Sequence, residues 1–393
     1  MKKILFLIHT LRGGGAEKAL VQLVNSMDKT KFDITVMTVI NTGKYIKELN
    51  SNIKDKYIFE EIIDTNAMDK KNFRHRLQFI KLQLYYNFFW KIKSMRFLYK
   101  KHIKDKYDVE VSFLEGISAK IISSSNNKKS KKICWIHTDL TKNRSTKKFF
   151  KNKKNEKKCY SRFDKIVCVS TNVMKCFLKE LEMEENNKVI VRHNPMDIVN
   201  ILKKSNEGFK QICREIKVDD AKIICSIGRL ETLKGYDKLL RVHKKLIDSG
   251  VKHKLIILGE GSQYEKLNKY ISDNKLQETA ILLGFKNNPY PYIKLCDIYA
   301  CTSVFEGMSI AVCEAMVLGK AAFVTEGTGL EDIIGPNNEH GIIVENSEDG
   351  IFCGLYDILE NDTMIKHYAK QSRKVSHVFE LKRNVKNIEN LFK

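Results

Sequence analysis

The stretch Lys222–Ile247, KIICSIGRLETLKGYDKLLRVHKKLI, decides the fold. Its first six residues, Lys222–Ile227, make an apolar run of strand length. A run that is apolar continuously, not at alternate positions, fits a strand buried on both faces of a parallel sheet. Gly228 breaks the run, and Arg229, Glu231 and Lys234 mark a charged loop ahead of a helical segment. Strand, glycine turn and helix in that order are the repeating unit of a doubly wound α/β sheet.

The unit recurs in both directions. Upstream, strands are expected at Ile4–His9, Ile34–Val39, Val109–Phe113, Lys132–His137, Lys165–Ser170 and Val189–Val191. Downstream they are expected at Lys254–Leu258, Ala280–Leu283, Ile298–Thr302, Ala321–Thr325 and Gly341–Val344. A chain of 393 residues suits two domains of roughly 200 residues each. The turn His193-Asn194-Pro195 is the natural seam, because proline continues neither element. The expected organisation is one Rossmann-like domain over residues 1–193, a second over 194–375, and a terminal segment 376–393 whose helix Glu380–Phe392 packs back on the first domain.

One segment, 69–106, departs from this pattern. It reads as a long helix rich in Phe, Tyr and Trp, and its residues 70–106 carry twelve Lys/Arg against the single acid Asp105. Such a segment suits either a membrane interface, with rings at headgroup depth and lysines on phosphates, or a core-packed helix pair with a solvated basic face. The charge of the whole chain is lopsided as well. Residues 1–200 hold 42 Lys/Arg and 21 Asp/Glu, a net +21, within a total of +23. That asymmetry points to an anionic partner for the first half, or to a lysine-rich composition that is merely solvated.

The ten cysteines show no CxxC pair and no zinc spacing; Cys134, Cys168, Cys225 and Cys301, inside apolar runs, read as reduced core residues of a cytosolic protein. Lys2-Lys3 followed by ILFLIHTL imitates a signal peptide, but a glycine loop stands where a cleavage site belongs, so a first strand is the better reading. No run of 18 apolar residues crosses a membrane.

Several motifs stand at the expected C-terminal ends of strands, where α/β folds bind ligands. Gly13-Gly14-Gly15-Ala16-Glu17 opens a helix and lets backbone approach an anion, though it serves equally as a tight turn. Gly228–Gly235 sets Arg229 and Lys234 beside one another, two cations suited to a diphosphate. Gly259, Gly284 and Phe285 follow further strands. The most specific stretch is Ser303–Ala315, SVFEGMSIAVCEA, in which Glu306 and Glu314 lie eight apart. Two carboxylates would repel a diphosphate, so their use is to accept hydrogen bonds from hydroxyls, while Gly307, Met308, Ser309 and Ile310 offer amides at a helix start. His137, at a strand end, suits a hydroxyl or phosphate, or a purely structural hydrogen bond.

Together these residues resemble family 4 glycosyltransferases, and in particular bacterial transferases of capsule, O-antigen and cell-wall polysaccharide. The match runs through Gly13–Glu17, Trp135–Leu140, Asn194–Asp197, Gly228–Gly235, Gly284–Tyr292 and Glu306–Glu314, in family order over nearly the whole chain. The resemblance implies a GT-B fold, α/β with two Rossmann-like doubly wound parallel-sheet domains facing a central cleft. It implies a retaining transfer of a hexose or N-acetylhexosamine from a nucleotide sugar, a UDP-sugar, to a glycan acceptor on a lipid pyrophosphate carrier, with no metal or other cofactor. His137, Glu306, Arg229 and Lys234 would form the catalytic set. Gly14, Gly15, Gly228, Gly259, Gly284, Phe285, Gly307, Met308, Ser309, Ile310 and Glu314 would bind donor, with Glu314 on the ribose.

The expected setting is cytoplasmic, at an anionic membrane surface on the inner face of the cell membrane. The loop Thr325–Leu330, TEGTGL, and Ala321 depart from the family pattern near the sugar pocket and leave donor identity open. Two other classes compete: a basic nucleic-acid-binding protein, which lacks any zinc, helix-turn-helix or RNP-like signature, and an inactive sugar-nucleotide-binding subunit. No nucleic-acid partner is expected.

Overall fold

The structure is a computed structural model that describes residues 1–61, 95–217 and 220–393. The chain divides into two compact units. The first comprises Met1–Val169, Val173–Arg192 and Val385–Lys393; the second comprises Ser170–Asn172 and His193–Asn384.

The first unit holds a seven-stranded parallel sheet of β1 (Lys2–Ile8), β2 (Phe32–Asn41), β3 (Lys54–Glu60), β4 (Val109–Ser112), β5 (Lys131–Ile136), β6 (Lys165–Cys168) and β7 (Val189–Val191), in the order β3-β2-β1-β4-β5-β6-β7. β3 escapes the sequence pattern. Its KDKYIFE run at the sheet edge buries only Ile58, and its charged residues Lys54, Asp55, Lys56 and Glu60 break up the apolar run that the other strands show. The core beneath the sheet stacks Phe113 on Trp135, with ring centroids 5.3 Å apart. Phe392 closes it edge-on against Phe6 and Phe32, and Lys2 Nζ donates to the Phe392 carbonyl at 3.1 Å. The last nine residues therefore complete this unit's core.

The second unit holds a six-stranded parallel sheet of β8 (Lys222–Ile227), β9 (His253–Leu258), β10 (Ala280–Leu282), β11 (Ile298–Cys301), β12 (Ala321–Thr325) and β13 (Ile342–Val344), ordered β10-β9-β8-β11-β12-β13. The helix Tyr236–Asp248 covers it with Tyr236, Leu239, Leu240, Val242, His243 and Leu246, a stripe at helical spacing. Both sheets reverse strand order beside their first strand, as doubly wound sheets do. The expected segment 69–106 lies outside the described residues over 69–94; its remainder contains the helix Met95–His102. No described helix is long and apolar enough to cross a membrane.

A buried imidazole pair pins the second unit's helix to its sheet. His253 Nδ1 lies 3.0 Å from the Val251 carbonyl, which only accepts, so the proton sits on Nδ1. His253 Nε2 then accepts from His243 Nδ1–H at 2.8 Å, and His243 Nε2 accepts from the Thr279 hydroxyl at 3.0 Å. Both rings are neutral in this arrangement. Burial, reinforced by His253, holds His243 down at about 3. Burial lowers His253 too, against the opposing pull of the Val251 carbonyl.

A histidine with a depressed folded pKa stabilises above its unfolded value, and that stability is lost as pH falls. Urea unfolding measured from pH 7 to pH 4 is expected to show stability falling below pH 6.5 by about 1.4 kcal/mol per pH unit for each imidazole kept neutral. His243→Gln should remove about one such increment from the slope. An unchanged slope would locate the acid sensitivity elsewhere.

Candidate functional site

Parallel strands deliver every strand-to-helix loop to one edge of their sheet. In the second unit this edge gathers the residues after β8, β9, β10, β11 and β12. Gly228 N–H donates to the Leu258 carbonyl at 3.0 Å, and Gly259 N–H to the Gly284 carbonyl at 2.9 Å. Three glycine-headed loops are thus laced by backbone bonds into a shelf. Gly259 has φ 142°, and a Cβ there would stand 1.9 Å from the Gly228 carbonyl oxygen, so no side chain fits. Gly284, at φ 67°, faces open space instead. Phe285, next to it, is exposed.

The loops after β8 and β11 carry the charges. Lys234, in the turn Thr232–Lys234, forms an ion pair with Glu306 Oε1. Ser303 Oγ donates to the same oxygen at 2.9 Å. Ser303 is itself fixed, since its carbonyl accepts from Thr325 Oγ1 at 3.0 Å and from Asn346 Nδ2 at 2.9 Å. Lys238 Nζ donates in turn to the Asn346 carbonyl at 2.8 Å and to its Oδ1. A chain of contacts thus runs from the helix behind the sheet to the Glu306 carboxylate. Arg229 is exposed, with no hydrogen bond or ion pair to its side chain among the described residues.

Glu314 sits one helix further in. The helix Ile310–Val317 begins after Ser309, whose side chain makes no cap bond, so its first amides remain open. Glu314 is buried, and Tyr290 OH donates to its Oε1 at 3.0 Å. The loop Thr325–Leu330 wraps close by: Glu306 N–H donates to the Gly327 carbonyl at 2.8 Å, and Gly329 presses so near the Gly307 carbonyl that a Cβ would lie 2.0 Å from it. Met308 and Ser309 are buried under this contact.

His137, Gly14 and Gly15 belong to the first unit. His137 follows β5 directly, one residue later than expected for a strand end. Its ring packs against Phe113 at 5.1 Å, and its backbone N–H donates to Glu115 Oε2 at 2.9 Å. Burial holds the imidazole neutral, at about 3, against the opposing hydrogen bond to the Phe113 backbone. Nε2 is buried without a hydrogen-bond partner. Gly14 caps the helix Gly15–Ser26 with no side-chain bond, and the Glu17 carboxylate folds back so that a Cβ on Gly14 would lie 2.2 Å from its Oε2. The helix start thus already faces a carboxylate of its own chain.

Residues 210–375 match the family model of the glycosyl transferases group 1. The chain is 34% identical, over 195 residues, to the N-acetylgalactosamine-N,N'-diacetylbacillosaminyl-diphospho-undecaprenol 4-alpha-N-acetylgalactosaminyltransferase of Campylobacter jejuni, covering 49% of this chain and 50% of that protein. The chain therefore spans about half the length of this curated relative. It is 25% identical over 328 residues to the UDP-Gal:alpha-D-GlcNAc-diphosphoundecaprenol alpha-1,3-galactosyltransferase of Escherichia coli, covering 77% and 79% of the two chains. Among solved structures, Anabaena Alr3699/HepE in complex with UDP and glucose superposes with a TM-score of 0.77 at 16% identity, over 100% of this chain and 99% of that one. The fold is GT-B, as the sequence resemblance implied.

Within the group 1 segment, the structure brings Arg229, Lys234, Glu306, Gly307, Met308, Ser309, Ile310 and Glu314 to one sheet edge with Gly228, Gly259, Gly284 and Phe285. Sequence reading missed Ser303, Tyr290, Asn346 and Lys238. Ser303, three residues from Glu306, had a local signal, and Tyr290 lies inside the matched stretch Gly284–Tyr292 with nothing there to name Glu314, 24 residues on, as its partner; Asn346 acts across 43 residues and had no signal.

The two shelf glycines separate strain from crowding. Gly284→Ala is expected to cost about 1–2 kcal/mol in urea unfolding, the penalty of a left-handed alanine. Gly259→Ala adds overlap with backbone and should cost about 2–4 kcal/mol. Equal costs would contradict the close approach of the two loops.

Proposed function

We propose that the protein is a retaining glycosyltransferase that moves a hexose or N-acetylhexosamine from a UDP-sugar to a glycan acceptor on a lipid pyrophosphate carrier, in surface polysaccharide synthesis. The observation that carries this reading is the Lys234–Glu306 pair beside Arg229 and the helix start at Ile310, within a group 1 segment. The donor's diphosphate meets Arg229, Lys234 and the open amides; sugar hydroxyls meet Glu306; the ribose meets Glu314, which Tyr290 orients. In the first unit, the neutral imidazole of His137 offers its unpartnered Nε2 to a substrate hydroxyl. The diphosphate charge is met by these cations and amides, and we propose that no metal is required. The Campylobacter and Escherichia coli relatives, named for undecaprenyl-diphosphate acceptors, support the acceptor class. The Anabaena structure, named for UDP and glucose, supports the donor class.

The chemistry we propose is a front-face displacement. The bond from the anomeric carbon to the phosphate oxygen breaks, and the acceptor oxygen bonds to the same face. The acceptor's proton passes to the departing phosphate oxygen. Arg229 and Lys234 hold the charge that develops there, and that electrostatic support supplies much of the rate. The excess of +21 over residues 1–200 suits an acceptor at an anionic membrane surface, on the cytoplasmic face.

A panel of nucleotide sugars assayed for transfer or donor hydrolysis tests the reading. Glu306→Ala is expected to lower kcat/KM by about 100-fold or more, and Glu314→Gln to raise the donor KM about tenfold, the worth of a hydrogen bond to a charged group. Full activity in Glu306→Ala would refute the site. Donor binding with no turnover for any sugar would favour the inactive binding subunit.

A further inference from the structure

The first unit has a cavity that the proposed reaction does not use. It measures about 500 Å³ and is lined by Met95, Arg96, Ser123, Ser124, Ser125, Lys132 and Arg162. Its place in the fold sets it apart from His137. Lys132 stands near the start of β5, and Ser123 to Ser125 follow the helix Ile117–Ile122 that returns from β4. The cavity therefore opens at the edge where β5 begins, whereas His137 follows its end.

The lining is unusual in charge. Its three cations come from three elements: the helix Met95–His102, the turn after the helix Lys153–Tyr160, and β5. No carboxylate lines the wall, and none of the three side chains is paired with one among the described residues. Two carboxylates are engaged nearby without lining it. Glu110 Oε1 accepts from Tyr99 OH at 2.7 Å, and Asp164 Oδ2 accepts the Lys132 backbone N–H at 2.7 Å.

The polar partners already present decide which groups remain available. Lys132 Nζ is held by the Asn127 carbonyl at 2.8 Å and by Ser130 Oγ at 3.0 Å, so it supplies a fixed charge more than a free donor. The hydroxyls of Ser123 and Ser124 donate back to the Lys120 carbonyl at 3.0 and 2.9 Å. Arg162 uses one guanidinium nitrogen on the Ser123 carbonyl at 3.2 Å, leaving the rest of its fork unassigned. Arg96 makes no side-chain hydrogen bond to the described residues. Two guanidinium forks and a fixed ammonium, in a concave wall with Met95 as its one apolar side chain, match a planar or tetrahedral oxyanion and offer nothing to an apolar ligand.

We propose that this cavity binds a phosphoryl group, carried either on a polar solute or on a lipid headgroup. Arg96 and Arg162 take the oxygens, Lys132 adds charge, and the serine wall admits a hydrated polar moiety beside the phosphate. The site lies in the unit that carries the chain's excess charge, which raises the local concentration of anions. It does not depend on the transfer reaction, because the diphosphate-binding loop belongs to the other unit.

The full chain is titrated with inorganic phosphate by calorimetry, and floated with phosphatidylcholine vesicles with and without phosphatidylglycerol. The same measurements are made on Arg96→Gln/Arg162→Gln and on a control of equal charge loss, Lys266→Gln/Lys269→Gln. The double arginine variant is expected to bind phosphate at least tenfold more weakly, with the control unchanged; Arg96→Gln alone, which breaks no hydrogen bond to the described residues, should show part of the loss. Arg162→Lys keeps the charge and should stay within a few-fold of the native chain. If anionic-vesicle binding falls in parallel and phosphate competes with it, the ligand is a headgroup. If vesicle binding is unchanged, the ligand is a phosphorylated solute. Phosphate binding that is equal in the native chain and the double arginine variant overturns the proposal.

Discussion

The ion pair between Lys234 and Glu306 joins loops that leave neighbouring strands, β8 and β11, at the edge where the second unit's candidate residues meet. Each partner reaches it through a constrained turn. Lys234 ends a 3-10 turn before Gly235, and Glu306 stands three residues after Ser303, whose hydroxyl and carbonyl are both engaged. If the pair were absent, Lys234 on one loop and Glu306 on the other would lose the contact that fixes them to one another. The sheet supplies the proximity, and the pair fixes the register of the charges.

Support for that register comes from behind the site. Lys238 lies on the covering helix four residues beyond Lys234, and it fixes Asn346, which fixes Ser303, which fixes Glu306. The same helix is anchored at its far end by the neutral His243–His253 pair. Packing, histidine tautomers and a side-chain amide therefore act together on one carboxylate. Such arrangements hold polar groups close to a working geometry before a ligand arrives, which is where electrostatic catalysis gains most.

Most strands were legible because parallel strands of these sheets write themselves as apolar runs. β8, β12 and β7 fall where the sequence places them, and other ends differ by a residue or two. β3 was not legible, since Lys54, Asp55, Lys56 and Glu60 make most of its run charged. The glutamates of the site were legible through their eight-residue spacing and the resemblance it supports. Their partners were not: Tyr290 reaches Glu314 from another helix, and Asn346 reaches Ser303 from beyond β13, so only the folded chain brings them together. The reading of residues 69–94 as a basic aromatic helix lies outside the described residues.

If the proposed function holds, the Lys234–Glu306 pair would also explain how one site can hold both an anion and a polyol. The partners are 21% and 18% exposed, so water screens them, and a pair of that kind contributes on the order of 1 kcal/mol. Separating it costs little when each partner gains a better one. A phosphate oxygen satisfies Lys234 more fully than Glu306 does, and a hydroxyl donates to Glu306 without competing for its charge. The pair keeps two opposed groups neutralised and correctly placed while the site is empty, and yields them to a ligand that carries both chemistries at once. A ligand with only one of them leaves the other charge of the pair unpaired and gives up that advantage. On the proposed function, selectivity for a ligand that is both diphosphate and sugar would follow from the pair itself, ahead of any contact that distinguishes one sugar from another.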